Sequence, residues 1–281
     1  MPFILSTDLR CDLTPTQLTA SGIRYLSGVC IANGKIVAEP ETTDLFDEVC
    51  ARIRGGEKIE RYALSTTDYE KYFDTLLEKN RGDVLHIACT EEDYAKALKA
   101  SANEAIKFPR RAVFVVKSLL LSAGARLILK EADKMRESGI TAMEAFVELT
   151  DLASKVKTLF IAKNTNKMVE SGLISFGTLP TEVNSIYEIS SADASVNHPF
   201  GKANLIGRRT GDKTAVKKVL SIIEESKAIG KIFVSGNADS LSTLMYDALL
   251  SSGFTVDYER AGLSTLFTFG ADGIVVAFLT E

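Results

Sequence analysis

The chain has 281 residues, more than one hydrophobic core usually serves, so two domains are the natural expectation. Its 46% apolar and 25% charged residues fit an ordinary globular protein, and a formal net charge of −4 gives no electrostatic ground for nucleic acid or an anionic membrane as partner. No apolar run approaches the ~20 residues that cross a bilayer, and no targeting segment opens the chain, so a cytoplasmic location is expected.

The apolar opening "PFILS" predicts a first strand, and "STDLRCDL" overlapping its end puts Thr7, Asp8 and Asp12 at the carboxyl end of that strand, before Leu13 returns to apolar. Ligands of open α/β sheets bind outside the carboxyl ends of strands, so these residues are either a site or a turn that starts a helix. "RYLSGVCIA" and "KIVAE" follow as strands, "TTDLFDEVCARI" as a helix and "EKIERY" as a solvated charged run. "STTDYEKYFDTLLEK" and "TEEDYAKALKASANEAI" open with Ser or Thr and carry acidic residues in the first turn, the marks of a helix start. Tyr69, Phe73, Leu76 and Leu77 in the first, and Tyr94, Ala97, Leu98 and Ala102 in the second, recur at helical spacing. "DVLHIAC" and "RAVFVV" are continuous apolar runs of the kind buried in parallel sheets.

Two longer helices, "LLLSAGARLILKEADKMRES" and "TAMEAFVELTDLASKVK", are split by Gly139 and form a bridge between domains. "TLFIA" follows as a strand, then a polar segment through "ESGLISFGTLPTEVN", then "SIYEIS", "KANLIG", "GKIFVSG", "FTVDYER" and "GIVVAFL" as strands, with "GDKTAVKKVLSIIEESK" and "DSLSTLMYDALLSS" as helices among them. Strands and helices alternate in both halves, less strictly parallel in the second. The boundary falls near Lys155, giving α/β domains over residues 1–155 and 156–281.

Common chemical motifs find little support. "GRRTGDKT" resembles a phosphate-binding loop, but three residues separate its glycines where four are needed, and Asp212 stands before Lys213. A turn with Asp212 as helix N-cap is the better reading. No Gly-x-Gly-x-x-Gly follows the first strand and no Gly-x-Ser-x-Gly elbow is present. His86 sits mid-strand as a core histidine, and His198 precedes Pro199 in a loop. Glu91 with Glu92, and Glu224 with Glu225, belong on solvent faces of helices. Cys11, Cys30, Cys50 and Cys89 are too spread for structural zinc, and Cys30 and Cys89 read as small core residues. In "KSLLLSAGAR", Ser118, Ser122 and Gly124 could present two hydroxyls beside a close backbone approach, or Ser118 could be a plain N-cap.

Taken in order, these segments resemble the DegV family, the fatty-acid-binding subunits of bacterial fatty-acid kinases. Thr7, Asp8, Asp12 and Leu13 match the opening T-D-S-x-A-D-L. Ser118, Ser122 and Gly124 match D-S-x-x-x-S-x-G, "ESGLIS" matches a "GGRI"-like turn in part, and "TFGADGIVVAFL" echoes an "HTGPGALGVAFL"-like closing strand. The series runs from about Phe3 to Leu279. Lys117 replaces an Asp, Lys163 replaces another acidic residue, Leu173 the Arg of "GGRI" and Thr268 a His. The family's "TSQPS" retains only Ser65, and "SSGLSGTY" has become "TEEDYAKA", with Thr90 the nearest hydroxyl.

The resemblance implies an α/β fold of two domains, a parallel sheet flanked by helices followed by a domain with a mixed sheet. It implies a long-chain fatty acid as ligand in an apolar tunnel, no cofactor, and catalysis by a partner kinase catalytic subunit rather than by this chain. The implied ligand residues are Thr7, Asp8, Ser65, Thr90, Ser118, Ser122, Gly124, Thr268 and Gly270, with Asp12 ordering the loop. Arg61 and Tyr94 fall where the family's carboxylate-binding Thr and Ser stand. They are an altered clamp, or else a surface arginine and a core tyrosine. Two other readings stay open: an enzyme using Asp8 or Asp272 as acid or base, and a paralogue without ligand that acts through protein contacts.

Overall fold

The computed structural model describes residues 3–281 except 27, 33–34, 38–42, 58, 63, 175–182, 191–200 and 238; for residues 29–32, 35–37, 43–46, 53–54 and 59–62 it describes the backbone alone. His198 and most of the polar segment after Ile174 lie outside these residues.

Three sheets organise the chain. The first is parallel, in the order β2 (Arg24–Leu26), β1 (Ile4–Asp8), β6 (Val84–Ala88), β7 (Val113–Lys117). Every residue of β6 is buried, as its unbroken apolar run requires of a strand covered on both faces. Helices α3 (Thr66–Lys79) and α4 (Glu91–Lys107) cover one face, where Tyr69, Phe73, Leu76, Leu77, Ala97 and Ala100 pack on Val84, Ala88 and Val115. Ser65 and Thr90 cap them, and Ser65 closes a reciprocal capping box with Asp68.

The second sheet is mixed, in the order β10 (Lys202–Thr210), β9 (Val183–Ser190), β8 (Val156–Ala162), β13 (Gly273–Leu279), β11 (Ile229–Gly236), β12 (Val256–Arg260); only β11 and β12 pair in parallel. Helices α8 (Asp212–Glu225) and α9 (Ser240–Ser251) cover its outer face. A small antiparallel sheet, β4 (Lys35–Val37), β3 (Val29–Ala32), β5 (Ile59–Tyr62), stands apart.

Helices α5 (Ala123–Ser138) and α6 (Ala142–Ser154) lie between the two larger sheets. One continuous core takes in Leu5, Leu85 and Ile87 of the parallel sheet, Leu127 and Ile128 of α5, and Phe160, Phe233, Val275 and Ala277 of the mixed sheet. The two sheets therefore bury their inner faces against shared helices, while each outer face keeps a core of its own. Among the described residues no helix is long and apolar enough to cross a membrane.

Several elements depart from the sequence reading. "RYLSGVCIA" is two strands in different sheets, and "EKIERY" supplies β5, its backbone paired to β3. Helix α5 begins at Ala123, not Leu119, because Leu119 and Ser122 both adopt positive φ and cannot continue a helix. "KVK" leaves the next helix to open β8, where pairing with β13 outweighs the helical pattern. Gly211, not Asp212, occupies the N-cap of α8, with φ +81 and no side-chain cap. Short helices α1 (Pro15–Ala20), α7 (Asn166–Glu170) and α10 (Leu263–Phe269) carry too few turns for a periodic signal.

Gly273 opens β13 at its tightest point. A Cβ there would lie 2.6 Å from the Ile161 carbonyl oxygen and from the Phe160 ring, and backbone cannot swing aside as a side chain can. Gly273→Ala is expected to cost about 1–3 kcal/mol by this overpacking, read as a lower urea midpoint with unchanged slope.

Candidate functional site

The carboxyl ends of β1, β6 and β7 hold the first group of polar residues singled out in the sequence. Thr7, Asp8, Thr90 and Ser118 are all buried. Asp8 accepts the Arg10 backbone N–H at 3.1 Å and faces the Arg10 guanidinium at 3.5 Å. The same guanidinium reaches Asp93 at 2.7 Å. Burial alone would lower the pKa of Arg10, but the Asp93 and Asp8 carboxylates outweigh it and hold the group charged. Arg10 and Asp93 carried no signal in the sequence beyond an exposed-looking loop and a helix start; their burial depends on tertiary packing.

Each hydroxyl of this group is already engaged. Thr7 donates to the Ile87 carbonyl at 3.3 Å, Ser118 to the Ala88 carbonyl at 2.9 Å and Thr90 to Asp93 at 2.7 Å. Beneath them Cys11 and Cys89 are buried free thiols, with burial pushing Cys11 up to about 12 and Cys89 upward as well. Lys117 pairs with Glu91 at 2.7 Å, with its ammonium 5.4 Å from the Tyr94 ring centroid; Tyr94 itself is half-buried against the α3–α4 core. Arg61 is in β5 opposite Cys30, and neither side chain is among those described. Ser65 is exposed and acts as the cap of α3.

A second group joins the two large sheets. Asp12, at φ +59, accepts the Gly262 N–H at 2.8 Å and the Thr265 hydroxyl at 2.6 Å on Oδ1, and the Ser122 hydroxyl on Oδ2. Arg126, fully buried, stands 4.0 Å from Asp12 Oδ2. Its guanidinium donates to Asp257 at 2.9 Å, Ser235 at 2.7 Å and the Val234 carbonyl at 2.8 Å. Gly124 allows the start of α5 to approach β8, since a Cβ there would sit 3.0 Å from Thr158 Oγ1.

A third group borders open space. Gly270, at φ +88, and Asp272 line a cavity of about 410 Å³ together with Gly56, Asn164, Asn166 and Lys167. Lys167 is paired with Glu170 at 2.5 Å, while Lys163 is drawn away to Asp212 at 2.9 Å. Asp212 also accepts from Asn184 and Ser240; these bonds and Lys163 hold its carboxyl below the usual range although burial pushes it up. Thr268 is buried, donates to the Ser264 carbonyl at 2.8 Å and does not reach the cavity lining. The first two groups adjoin, the Ser122 N–H donating to the Arg10 carbonyl at 2.7 Å, and the cavity of the third has no lining residue from either.

His86 is a core residue. Its Nδ1 lies 2.9 Å from Ser6 Oγ, and the Tyr69, Phe73 and Tyr72 rings surround it. Glu224 and Glu225 are exposed, and no cluster of three or more His, Cys, Asp or Glu suited to a metal occurs among the described residues.

The model for "Uncharacterised protein, DegV family" matches residues 3–269. The chain belongs to the DegV family. A curated relative, the DegV domain-containing protein YteA of Lactococcus lactis subsp. lactis (strain IL1403), is 21% identical over 288 aligned positions, covering 99% of this chain and 97% of that protein. A crystal structure of a DegV lipid-binding protein from Thermotoga maritima superposes with a TM-score of 0.81 at 18% identity, covering 100% of this chain and 99% of that one. The Streptococcus pneumoniae fatty acid kinase B3 protein, loaded with linoleic acid, superposes with a TM-score of 0.80 at 15% identity over 100% of both chains. At these identities the solved structures share with this DegV protein its fold: a parallel sheet, a mixed sheet and the helices between them.

Two outcomes follow from this geometry. Asp12→Ala should cost about 3 kcal/mol or more, because it leaves three donors without their buried acceptor and takes away the carboxylate that faces Arg126 at 4.0 Å. Asp12→Asn, which tolerates the left-handed backbone, should cost less in the same urea titration. Burial lowers the His86 pKa to about 4, below its unfolded value near 6.5, so the unfolded chain binds the extra proton first. The stability this gives is complete above about pH 6.5 and falls by about 3 kcal/mol as pH drops toward 4. His86→Gln should remove that part of the slope of unfolding free energy against pH.

Proposed function

We propose that this DegV protein is a lipid carrier that holds one long-chain fatty acid and presents its carboxylate to a partner kinase in the cytoplasm. The observation that carries the reading is the full-length superposition on family members that hold fatty acids. Catalysis belongs to the kinase catalytic subunit, and this chain supplies the ligand.

The energetics suit an acyl ligand. Burying a hydrocarbon chain contributes roughly 0.8 kcal/mol per methylene, and a carboxylate left without donors offsets much of that. Thr90 and Ser118 have already given their hydrogens to Asp93 and Ala88. The open cavity beside Gly270 offers Lys167 and the Asn164 and Asn166 amides as donors, with Asp272 and Glu170, the partner of Lys167, among its lining.

Native mass spectrometry of the freshly purified full-length protein, followed by organic extraction, tests the reading. A fatty acid near one-to-one occupancy is expected, or uptake of added stearic acid to that ratio. A protein that carries no fatty acid and takes up none would overturn it.

A further inference from the structure

We propose that the outer edge of β12 is a docking site for an extended segment of another protein, one whose side chains alternate between apolar and basic, laid beside β12 as a further strand of the mixed sheet. The inference does not rest on the fatty-acid reading.

Four strands end the two larger sheets, β2 and β7 in one, β10 and β12 in the other. β2 has three residues, and β7 is buried at Val115 and Val116. β10 breaks its register between Leu205 and Gly207, and its Ala203 N–H is taken by the Leu173 carbonyl at 3.2 Å. Short strands, covered edges and bulges are the means by which proteins keep outer strands from pairing further. β12 has none of them. Its register to β11 is unbroken over five residues, it contains no proline, and all five residues are half-buried. The Ile232 N–H donates to the Thr255 carbonyl at 2.9 Å and the Ala261 N–H to the Gly236 carbonyl at 3.1 Å. A parallel ladder in that phase turns the Asp257 and Glu259 amides toward β11, so the backbone groups of alternate residues from Val256 on face outward.

A groove of about 550 Å³ runs along this edge, walled by residues 256–259 and by Ser242, Thr243 and Tyr246 of α9. Successive side chains of a strand point to opposite faces, so a space that touches four residues in a row lies against the edge and not over one face. On the α9 side Val256 and Tyr258 pack with the outer core, and the Tyr246 ring, 36% exposed, meets that of Tyr258 edge to face at 5.9 Å. On the opposite side Asp257 is paired with Arg126 at 2.9 Å, while Glu259 accepts the neutral Gln17 amide at 3.0 Å and keeps its charge.

These two faces set the chemistry of the occupant. Neighbours across a strand pair share a face, so an added strand places every second side chain beside Val256, Tyr258 and Tyr246, where apolar groups are favoured, and the others beside Asp257 and Glu259. There a basic side chain meets the Glu259 carboxylate and an acidic one meets like charge. A second copy of this chain fits poorly, because antiparallel pairing of β12 with itself about Tyr258 sets Asp257 opposite Glu259. Main-chain bonds supply the affinity of such docking, and the alternation supplies its specificity.

The test titrates the full-length protein with acetyl-Val-Lys-Val-Lys-Val-amide, followed by amide chemical shifts and hydrogen exchange. Saturable binding is expected, with shifts centred on residues 242–246 and 256–259 and slowed exchange at the Val256 amide. Acetyl-Val-Glu-Val-Glu-Val-amide should bind at least about fivefold more weakly. Glu259→Gln, which can keep the contact with Gln17, should narrow that difference without altering the unfolding midpoint. Methylating the lysine peptide on the central valine nitrogen removes a donor that an antiparallel strand uses, and methylating both lysine nitrogens removes those of a parallel one; one of the two peptides should bind about tenfold more weakly than the parent. No binding, equal affinity for the Lys and Glu peptides, a difference unchanged in Glu259→Gln, both methylated peptides binding like the parent, shifts confined to other parts of the protein, or self-association through residues 256–259 would each overturn the proposal.

Discussion

The joint between the two large sheets turns on one carboxylate. Asp12 leaves β1 in the left-handed region and accepts a backbone N–H and two hydroxyls, from Gly262, Thr265 and Ser122, with Arg126 4.0 Å away. These partners come from the start of α10, from α10 itself and from the turn before α5. A left-handed non-glycine backbone costs on the order of 1–3 kcal/mol, and hydrogen bonds to a charged acceptor in a buried place can offset it. Aspartate suits the position because its short polar side chain tolerates that backbone and its two oxygens accept from opposite sides.

Arg126 extends the joint into the mixed sheet. Its planar guanidinium donates to a side chain and a carbonyl of β11 and to both the side chain and carbonyl of Asp257 in β12. A lysine could not satisfy that fork from one ammonium. Buried and spanning the sheets in this way, the pair Asp12 and Arg126 fixes where α10 starts, and α10 in turn sets where Gly270 and Asp272 border the open cavity. The position of the cavity is therefore a consequence of a buried polar network whose members stand far apart in sequence, as Asp12 and Gly262 do.

That separation explains what could be read in the sequence. Strands β6, β7 and β13 announce themselves as continuous apolar runs, and Ser65, Thr90 and Thr141 mark helix starts because capping is local chemistry. The family resemblance rests on the same local features in order. Arg10, Asp93, Arg126 and Thr265 give no signal, since a charged or hydroxyl residue looks solvated until its partner is known. Ser122 donates to Asp12 and Ser118 to the Ala88 carbonyl, partners that their spacing in sequence does not announce. Helix α10 is not legible because seven residues carry too short a period to stand out against the strand that follows.

The polar network at the strand ends bears on the lipid-carrier reading proposed above. Asp8, Arg10 and Asp93 form a buried carboxylate–guanidinium–carboxylate set, and Thr90 is spent within it. A ligand carboxylate brought to that place would meet two carboxylates and hydroxyls already engaged. Affinity for an acyl chain comes chiefly from its methylenes, each contributing about as much as a good hydrogen bond. In the reading proposed here the substitutions at the family's clamp change where the carboxylate sits and what a partner enzyme must approach, and they leave the larger part of the binding energy in place.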